Sequence, residues 1–110
     1  MIDQFFMRQA LIEALKSSRV GEVPVGAVVV FEDQVIGEGW NRPIIDNDPT
    51  AHAEMEAIRD AARRLGSRDL SGCILVSTSR PCRMCEAAAG WARISRMVHG
   101  DGLIDAGPPA

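Results

Sequence analysis

Two short segments carry the side chains that most restrict what this chain can fold into. His52-Ala53-Glu54 supplies an imidazole and a carboxylate, and Pro81-Cys82-Arg83-Met84-Cys85 supplies two thiols. Imidazole nitrogen and thiolate sulfur are preferred ligands of Zn²⁺, and a tetrahedral zinc with only three protein ligands keeps a position open for water, as catalytic zinc sites do. The fold must therefore bring the two segments together, and we expect His52, Cys82 and Cys85 to bind a catalytic zinc.

Glu54 is predicted to act beside the metal without binding it. In the middle of a helix its side chain would point roughly 200° away from that of His52, so the pair suits a helix start better. The segment 48–50 provides such a start, with Asp48 or Thr50 as the N-cap. From the first turn, His52 can reach the metal while Glu54 lies next to a water molecule and serves as general acid and base.

The two cysteines are predicted to open a second helix. Cys82 and Cys85 are three residues apart and so share a helix face, and Pro81 suits the first turn. The positive end of that helix should favour both thiolates. Cys73 and His99 are the other candidate ligands, but neither shares a motif with these three, and Cys73 lies in an apolar run typical of a buried strand.

Together the two motifs resemble the signature of the zinc-dependent nucleobase deaminases in the cytidine deaminase superfamily. Within it, the chain is most similar to the branch of bacterial tRNA adenosine deaminases and guanine deaminases. The resemblance runs from about Met7 to Gly100 and is densest in residues 22–28, 37–41 and 48–54. It implies zinc on the three predicted ligands, Glu54 as the proton shuttle, and a three-layer α/β/α cytidine deaminase-like fold with a mixed central sheet.

The same resemblance implies which residues contact the substrate. Asn41 matches the family's asparagine that holds the base, although an asparagine after a strand is also an ordinary turn residue. The segment of Val25, Gly26 and Ala27 would form one wall of the pocket, where the glycine would let the backbone approach the substrate closely.

Two features depart from the family pattern. Arg80 stands where a glutamate commonly precedes the Pro-Cys pair, and it could change the zinc electronics, contact a substrate phosphate or point outward. Family members also continue past the fourth strand with another helix and strand, whereas this chain ends in residues 101–110. The sequence therefore predicts a fold shortened at its C-terminus, with four strands and an unpaired sheet edge. Because proteins cover or pair such edges, we expect a homodimer or larger homo-oligomer.

Residue patterning along the 110-residue chain, which is 46% hydrophobic, predicts one domain over residues 1–110. The helical or extended runs alternate as α-β-β-α-β-α-β, which indicates an α/β fold whose later strands are parallel and whose sheet has helices on both faces. The predicted elements are a first helix around 7–15, strands at 23–31 and 35–40, a metal-binding helix ending near Gly66, a strand at 73–78, a helix at 82–91 and a strand at 96–99.

The net charge of −3 is unevenly distributed. Residues 1–58 carry four basic and ten acidic side chains, whereas residues 59–100 carry eight arginines against three acids. Arg59 and Arg63, one helical turn apart, form either a basic stripe suited to RNA phosphates or an ordinary solvated helix face. The sequence has neither a membrane-spanning apolar run nor a basic leader before an apolar stretch, which predicts a cytoplasmic protein without membrane contact.

These observations predict a hydrolytic deaminase that removes the exocyclic amine of a nucleobase and releases ammonia. The resemblance favours adenosine-to-inosine deamination in tRNA. The acidic net charge and the missing C-terminal helix instead favour a free base or nucleoside: guanine, adenine, cytosine or cytidine. A third alternative is an inactive, zinc-stabilised interaction module.

Overall fold

One mixed sheet organises the part of the chain that the structure, a computed structural model, describes: residues 4–100 and 104–109. Helices and strands follow in this order: α1 Gln4–Arg19, β1 Gly26–Phe31, β2 Gln34–Trp40, α2 Ala53–Leu65, β3 Ile74–Ser77, α3 Arg83–Trp91, β4 Arg96–His99 and β5 Ile104–Gly107. Among these described residues, no helix is both long enough and apolar enough to cross a membrane.

The strands lie in the order β2-β1-β3-β4-β5. Strand β1 is antiparallel to both of its neighbours, β3 and β4 are parallel, and β5 is antiparallel to β4. Helix α3 makes the crossover between the two parallel strands, as a parallel pair requires. The predicted mixed sheet of an α/β fold is therefore confirmed.

The predicted number of strands was wrong by one. Residues Ile104–Gly107, which lie beyond the last strand predicted from sequence, form β5 and pair with β4. A four-residue segment reading Ile-Asp-Ala-Gly is too short and too mixed in polarity to show the period-2 alternation that identifies strands. Within the described residues, the outer strands of the sheet are therefore β2 and β5.

Alternating side chains divide the core into two clusters, because neighbouring residues of a strand point to opposite faces. One face packs against α1 and the other against α2 and α3. The α1 cluster contains Phe6, Met7, Ala10, Val28, Val30, Val76 and Val98. The second cluster includes Ala27, Val29, Ala53, Ala57, Ala61, Leu75, Ala89 and Met97.

Two glycines of β2 bring the backbone of α2 into direct contact with the sheet. A Cβ atom added at Gly37 would lie 2.5 Å from the carbonyl oxygen of Ala57, and one added at Gly39 would lie 2.3 Å from that of Ala53. Both distances are far below van der Waals contact, so no side chain fits at either position. The first turn of α2 is thereby held against the sheet, directly after His52.

Candidate metal centre

The two helices on this face of the sheet each start directly after a predicted metal ligand. His52 is the N-cap of α2 and Cys82 is the N-cap of α3, both with extended backbone. Neither side chain caps its own helix, so both are free to point toward a common centre. Pro81 therefore precedes the N-cap. The prediction that Pro81 and Cys82 belong to the first helical turn was wrong, because α3 begins at Arg83.

The predicted N-cap of α2 was also wrong. Asp48 instead accepts hydrogen bonds from the backbone N–H and the hydroxyl of Thr50, both at 2.8 Å. An aspartate that bonds two residues ahead forms a tight local turn, which competes with capping a helix further along the chain. This turn ends just before His52.

Donor atoms of the three predicted ligands converge. Nδ1 of His52 lies 3.6 Å from Sγ of Cys82 and 3.7 Å from Sγ of Cys85. All three donors lie within 4.8 Å of one another, and within the described ranges no other group of three metal-binding side chains does so. Zinc bonds of about 2.0–2.3 Å at tetrahedral angles would separate such donors by roughly 3.5 Å. The donor set and its spacing thus fit zinc with three protein ligands, and neither Cys73 nor His99 joins the set.

Electrostatics at Cys85 also favour a bound cation. Burial raises the pKa of the Cys85 thiol well above its usual range, and the nearby Glu54 carboxyl and Cys82 thiol raise it further. At Cys85, burial and these two neighbours outweigh the thiolate-favouring effect expected of the helix terminus. Three groups that become negative when they ionise face one another, so it is unfavourable to ionise all of them. A metal ion bound among them would stabilise the ionised forms.

The Glu54 carboxyl lies beside the ligands but outside the donor set. The residue is 4% exposed in the first turn of α2. Burial raises the pKa of its carboxyl, while its own backbone N–H, His52, the Ser77 hydroxyl and the Cys85 thiol partly oppose that rise. A buried carboxyl with a raised pKa, next to a metal site, has the properties expected of a proton-transfer group.

The predicted pocket wall divides between the two faces of the sheet. Ala27 is fully buried on the face of α2 and α3, and Val25 packs against the same cluster. Gly26 faces α1, where an added Cβ would lie 2.0 Å from the carbonyl oxygen of Ala10. Close packing of α1 thus requires this glycine, and its backbone approach to the substrate stays a prediction. Its N–H donates to the Thr78 hydroxyl at 3.1 Å.

Asn41 is held firmly at the end of β2. Its backbone N–H donates to the Val25 carbonyl at 2.9 Å, and its own carbonyl accepts from the Ser17 hydroxyl at 2.8 Å. The side-chain nitrogen donates to the Val23 carbonyl at 3.2 Å. The amide oxygen has no partner among the described residues, so it remains able to accept a hydrogen bond from a ligand.

Three polar residues near the site were not assigned a role from sequence. Ser77 and His99 are the last residues of the parallel strands β3 and β4 and are register partners, and both are buried. Nδ1 of His99 has no hydrogen-bond partner within the described part of the chain. A polar residue closing an apolar strand is the signal that could have identified both, because sites form at the carboxyl ends of parallel strands. The third is Glu22, whose contacts are described below.

The arginines singled out from sequence lie at the surface. Arg80 is exposed and forms no ion pair within the described residues, which agrees with the alternative that it points outward. Arg59 pairs with Glu56, and Arg63 pairs with Asp60 at 3.1 Å. The predicted basic stripe is thus partly neutralised by acids of its own helix.

Comparison with known proteins gives a family match over residues 1–101, to the cytidine and deoxycytidylate deaminase zinc-binding region. Among curated relatives, the tRNA-specific adenosine deaminase of Buchnera aphidicola is 47% identical over 98 residues, which are 89% of this chain and 60% of the relative. That of Haemophilus influenzae is 46% identical over 99 residues, covering 89% of this chain and 57% of the relative. The chain thus spans about three fifths of these relatives' length.

Two solved structures match the fold closely. One, from work on A-to-I editing by tRNA:A34 deaminases at the wobble position of transfer RNA, has a TM-score of 0.86 and 45% identity, over 89% of this chain and 71% of that one. The other, guanine deaminase from Bacillus subtilis, has a TM-score of 0.85 and 40% identity, over 91% of this chain and 64% of that one.

Replacing a ligand should remove metal and stability together. We expect Cys85→Ala to lose bound zinc and to melt at a temperature that a chelator no longer lowers, because metal-binding free energy is partly folding free energy. Cys73→Ala is the matched control, since Cys73 is also fully buried but lies outside the donor set. Elemental analysis and thermal melts with and without chelator measure both effects. Equal zinc content in the two variants would contradict the assignment.

Proposed function

This chain belongs to the cytidine and deoxycytidylate deaminase family, and from that membership we propose that it hydrolyses the exocyclic amine of a nucleobase and releases ammonia. The reaction is most like adenosine-to-inosine deamination in tRNA. The observation that carries the proposal is the buried Glu54 carboxyl beside a three-ligand donor set that it does not join. A purely structural zinc site has no use for such a group, which argues against an inactive interaction module.

Zinc bound by His52, Cys82 and Cys85 supplies Lewis-acid activation of water. The Glu54 carboxyl accepts a proton from the attacking water and delivers one to the departing nitrogen. The carbon–nitrogen bond breaks, a carbonyl replaces the amine on the ring, and ammonia leaves. The Ser77 hydroxyl, which lowers the pKa of the Glu54 carboxyl, stabilises its ionised form.

Substrate contacts are assigned to residues around the start of β1 and the end of β2. Asn41 presents its unpaired amide oxygen to the base, and Val25, supported by the fully buried Ala27 behind it, provides an apolar wall on the face of the metal centre. Gly26 contributes backbone to this wall while its α-carbon packs on α1. An apolar pocket with a few directed polar groups is the usual design of a site for a small heterocycle.

Identity to tRNA-specific adenosine deaminases of 44–47% supports tRNA as the substrate. The target base must then be unstacked from its loop to reach the site. The guanine deaminase neighbour, at 40% identity, supports the alternative of a free base or nucleoside. A tRNA substrate would place the enzyme in the cytoplasm, where reduced thiols can bind metal.

A basic surface at the C-terminal end of α2 supports RNA binding. Arg59, Arg63 and Arg68 border an open cavity of about 630 Å³ there. Arg68 makes no ion pair with any described residue, and the Arg63 side chain is 71% exposed. Exposed arginines of this kind are suited to phosphate contacts that position RNA without reading its sequence.

We also propose that the protein is a homo-oligomer. The unpaired edge of the fourth strand, from which oligomerisation was predicted, is instead paired with β5. The support is now two exposed apolar side chains at helix ends: Trp91 at the end of α3 is 89% exposed, and Leu65 at the end of α2 is 44% exposed. Tryptophan is enriched where proteins associate. Light scattering should give a mass above that of one chain, and Trp91→Arg should lower it. A monomeric wild-type protein at working concentration would contradict this proposal.

Glu54→Gln tests the assignment of the proton carrier. Glutamine keeps the size and polarity of glutamate but cannot accept the proton, so zinc content should stay the same while turnover falls by roughly 10²–10⁴-fold. Glu56→Gln, in the same helical turn, is the matched control and should retain activity. Zinc loss in Glu54→Gln equal to that of a ligand variant would mean that Glu54 is a ligand.

Charge reversal tests the substrate. If the basic surface binds tRNA, Arg63→Glu and Arg68→Glu should weaken activity on tRNA and reduce its salt dependence, because each lost phosphate contact lowers the logarithmic salt slope by about 0.7–0.9. Arg19→Glu, an exposed position at the end of α1, is the control. Activity should be compared on tRNA, guanine, adenine and cytidine. Ammonia release from a free base but not from tRNA would favour the alternative.

A further inference from the structure

The turn between β2 and α2 carries a substrate-binding candidate at one end and a metal ligand at the other. Asn41 precedes the turn, and His52 follows it. Hydrogen bonds close the turn on itself: the Arg42 N–H donates to the Ala51 carbonyl at 2.9 Å, and other bonds link residues 42–48 internally. The turn thus connects the side chain proposed to hold the base with a predicted metal ligand.

Burial of apolar side chains does not provide that attachment. Ile44 and Ile45 are the large apolar residues of the turn, and they are 76% and 54% exposed. Polar contacts, together with the Arg42 guanidinium that lies 4.2 Å from the centre of the Trp40 ring, therefore hold the turn in place.

Glu22 provides two such contacts. One carboxyl oxygen accepts from the Ile45 N–H at 2.7 Å and the other accepts from the Ile44 N–H at 3.3 Å. The side chain is 5% exposed and has no basic partner within ion-pair distance among the described residues. Both oxygens of a buried carboxyl are thus directed at two consecutive backbone groups, which fixes the orientation of the turn as well as its position.

The position of Glu22 in the chain links this contact to the pocket. The next residue, Val23, accepts from the Asn41 side chain, and Val25 accepts from the Asn41 backbone. The segment leading into β1 is therefore joined to the end of β2 by Asn41 and to the following turn by Glu22.

We propose that Glu22 is a positioning residue that sets substrate affinity by fixing the 42–48 turn and, through the adjoining Val23, the orientation of the Asn41 amide. The proposal rests on the proposed deaminase function. Glu22 acts on base binding rather than on chemistry, because Glu54 and the metal ligands are held by α2 and α3.

Glu22→Gln is the main test. Glutamine keeps the size of the side chain but offers one acceptor oxygen and turns an amide donor toward a backbone N–H. We expect faster hydrogen exchange at the Ile44 and Ile45 amides, a KM raised roughly tenfold, and unchanged zinc content and little-changed kcat. A substitution that misplaces the substrate slightly can lower the reaction rate by up to about 100-fold. Glu22→Asp keeps both oxygens on a shorter side chain and should give intermediate values.

Glu13→Gln is the matched control. Glu13 is 4% exposed on α1 and pairs with Lys16, so it tests the loss of a buried carboxyl away from the turn. This variant should show wild-type amide exchange at Ile44 and Ile45 and a wild-type KM.

Unchanged exchange at both isoleucines in Glu22→Gln would overturn the proposal, as would faster exchange with an unchanged KM. If Glu22→Gln does not fold, amide exchange and KM measured on Glu22→Asp test the proposal by the same criteria. A wild-type protein inactive on tRNA, bases and nucleosides would overturn the proposed function and this role with it. An active wild-type protein with an unaltered Glu22→Gln variant would overturn this role alone.

Discussion

Direct contact between the backbone of α2 and strand β2 is the constraint on which the site depends. At Gly37 and Gly39 the helix lies where any side chain would collide with its carbonyl groups. Contacts between backbones leave little freedom for the helix to slide or rotate. His52 and Glu54, at the start of α2, thereby acquire fixed positions relative to the sheet. The crossover from β3 through α3 then brings Cys82 and Cys85 to the same place.

The metal ligands could be predicted from sequence because ligand chemistry restricts residue type and spacing so strongly. The N-cap of α2 could not be predicted in this way. Asp48 and Thr50 are both good N-cap residues, and only the three-dimensional structure shows that they bond to each other instead. The role of Gly26 was missed for a similar reason. A glycine signals that something approaches closely, but only the fold reveals that it is α1.

Burial and long-range pairing explain the other features of the structure that could not be predicted from sequence. The sequence places Cys85 at the positive end of a helix, but its pKa follows from desolvation and from the neighbouring Glu54, which is distant in sequence. Ser77 and His99 become neighbours only through the parallel pairing of β3 and β4. Strand β5 is recognisable only by its partner, because four residues of mixed polarity carry no pattern of their own.

The division between rigid helices and the 42–48 turn has an evolutionary consequence. The groups assigned to chemistry are borne by two helix starts, whereas the turn between Asn41 and His52 exposes its apolar side chains and is attached by a few polar contacts. Substitutions in the turn can thus alter what enters the site while leaving the reacting groups in place. One scaffold can in this way diversify its choice of substrate, which agrees with close structural likeness to proteins described as a tRNA:A34 deaminase and as a guanine deaminase.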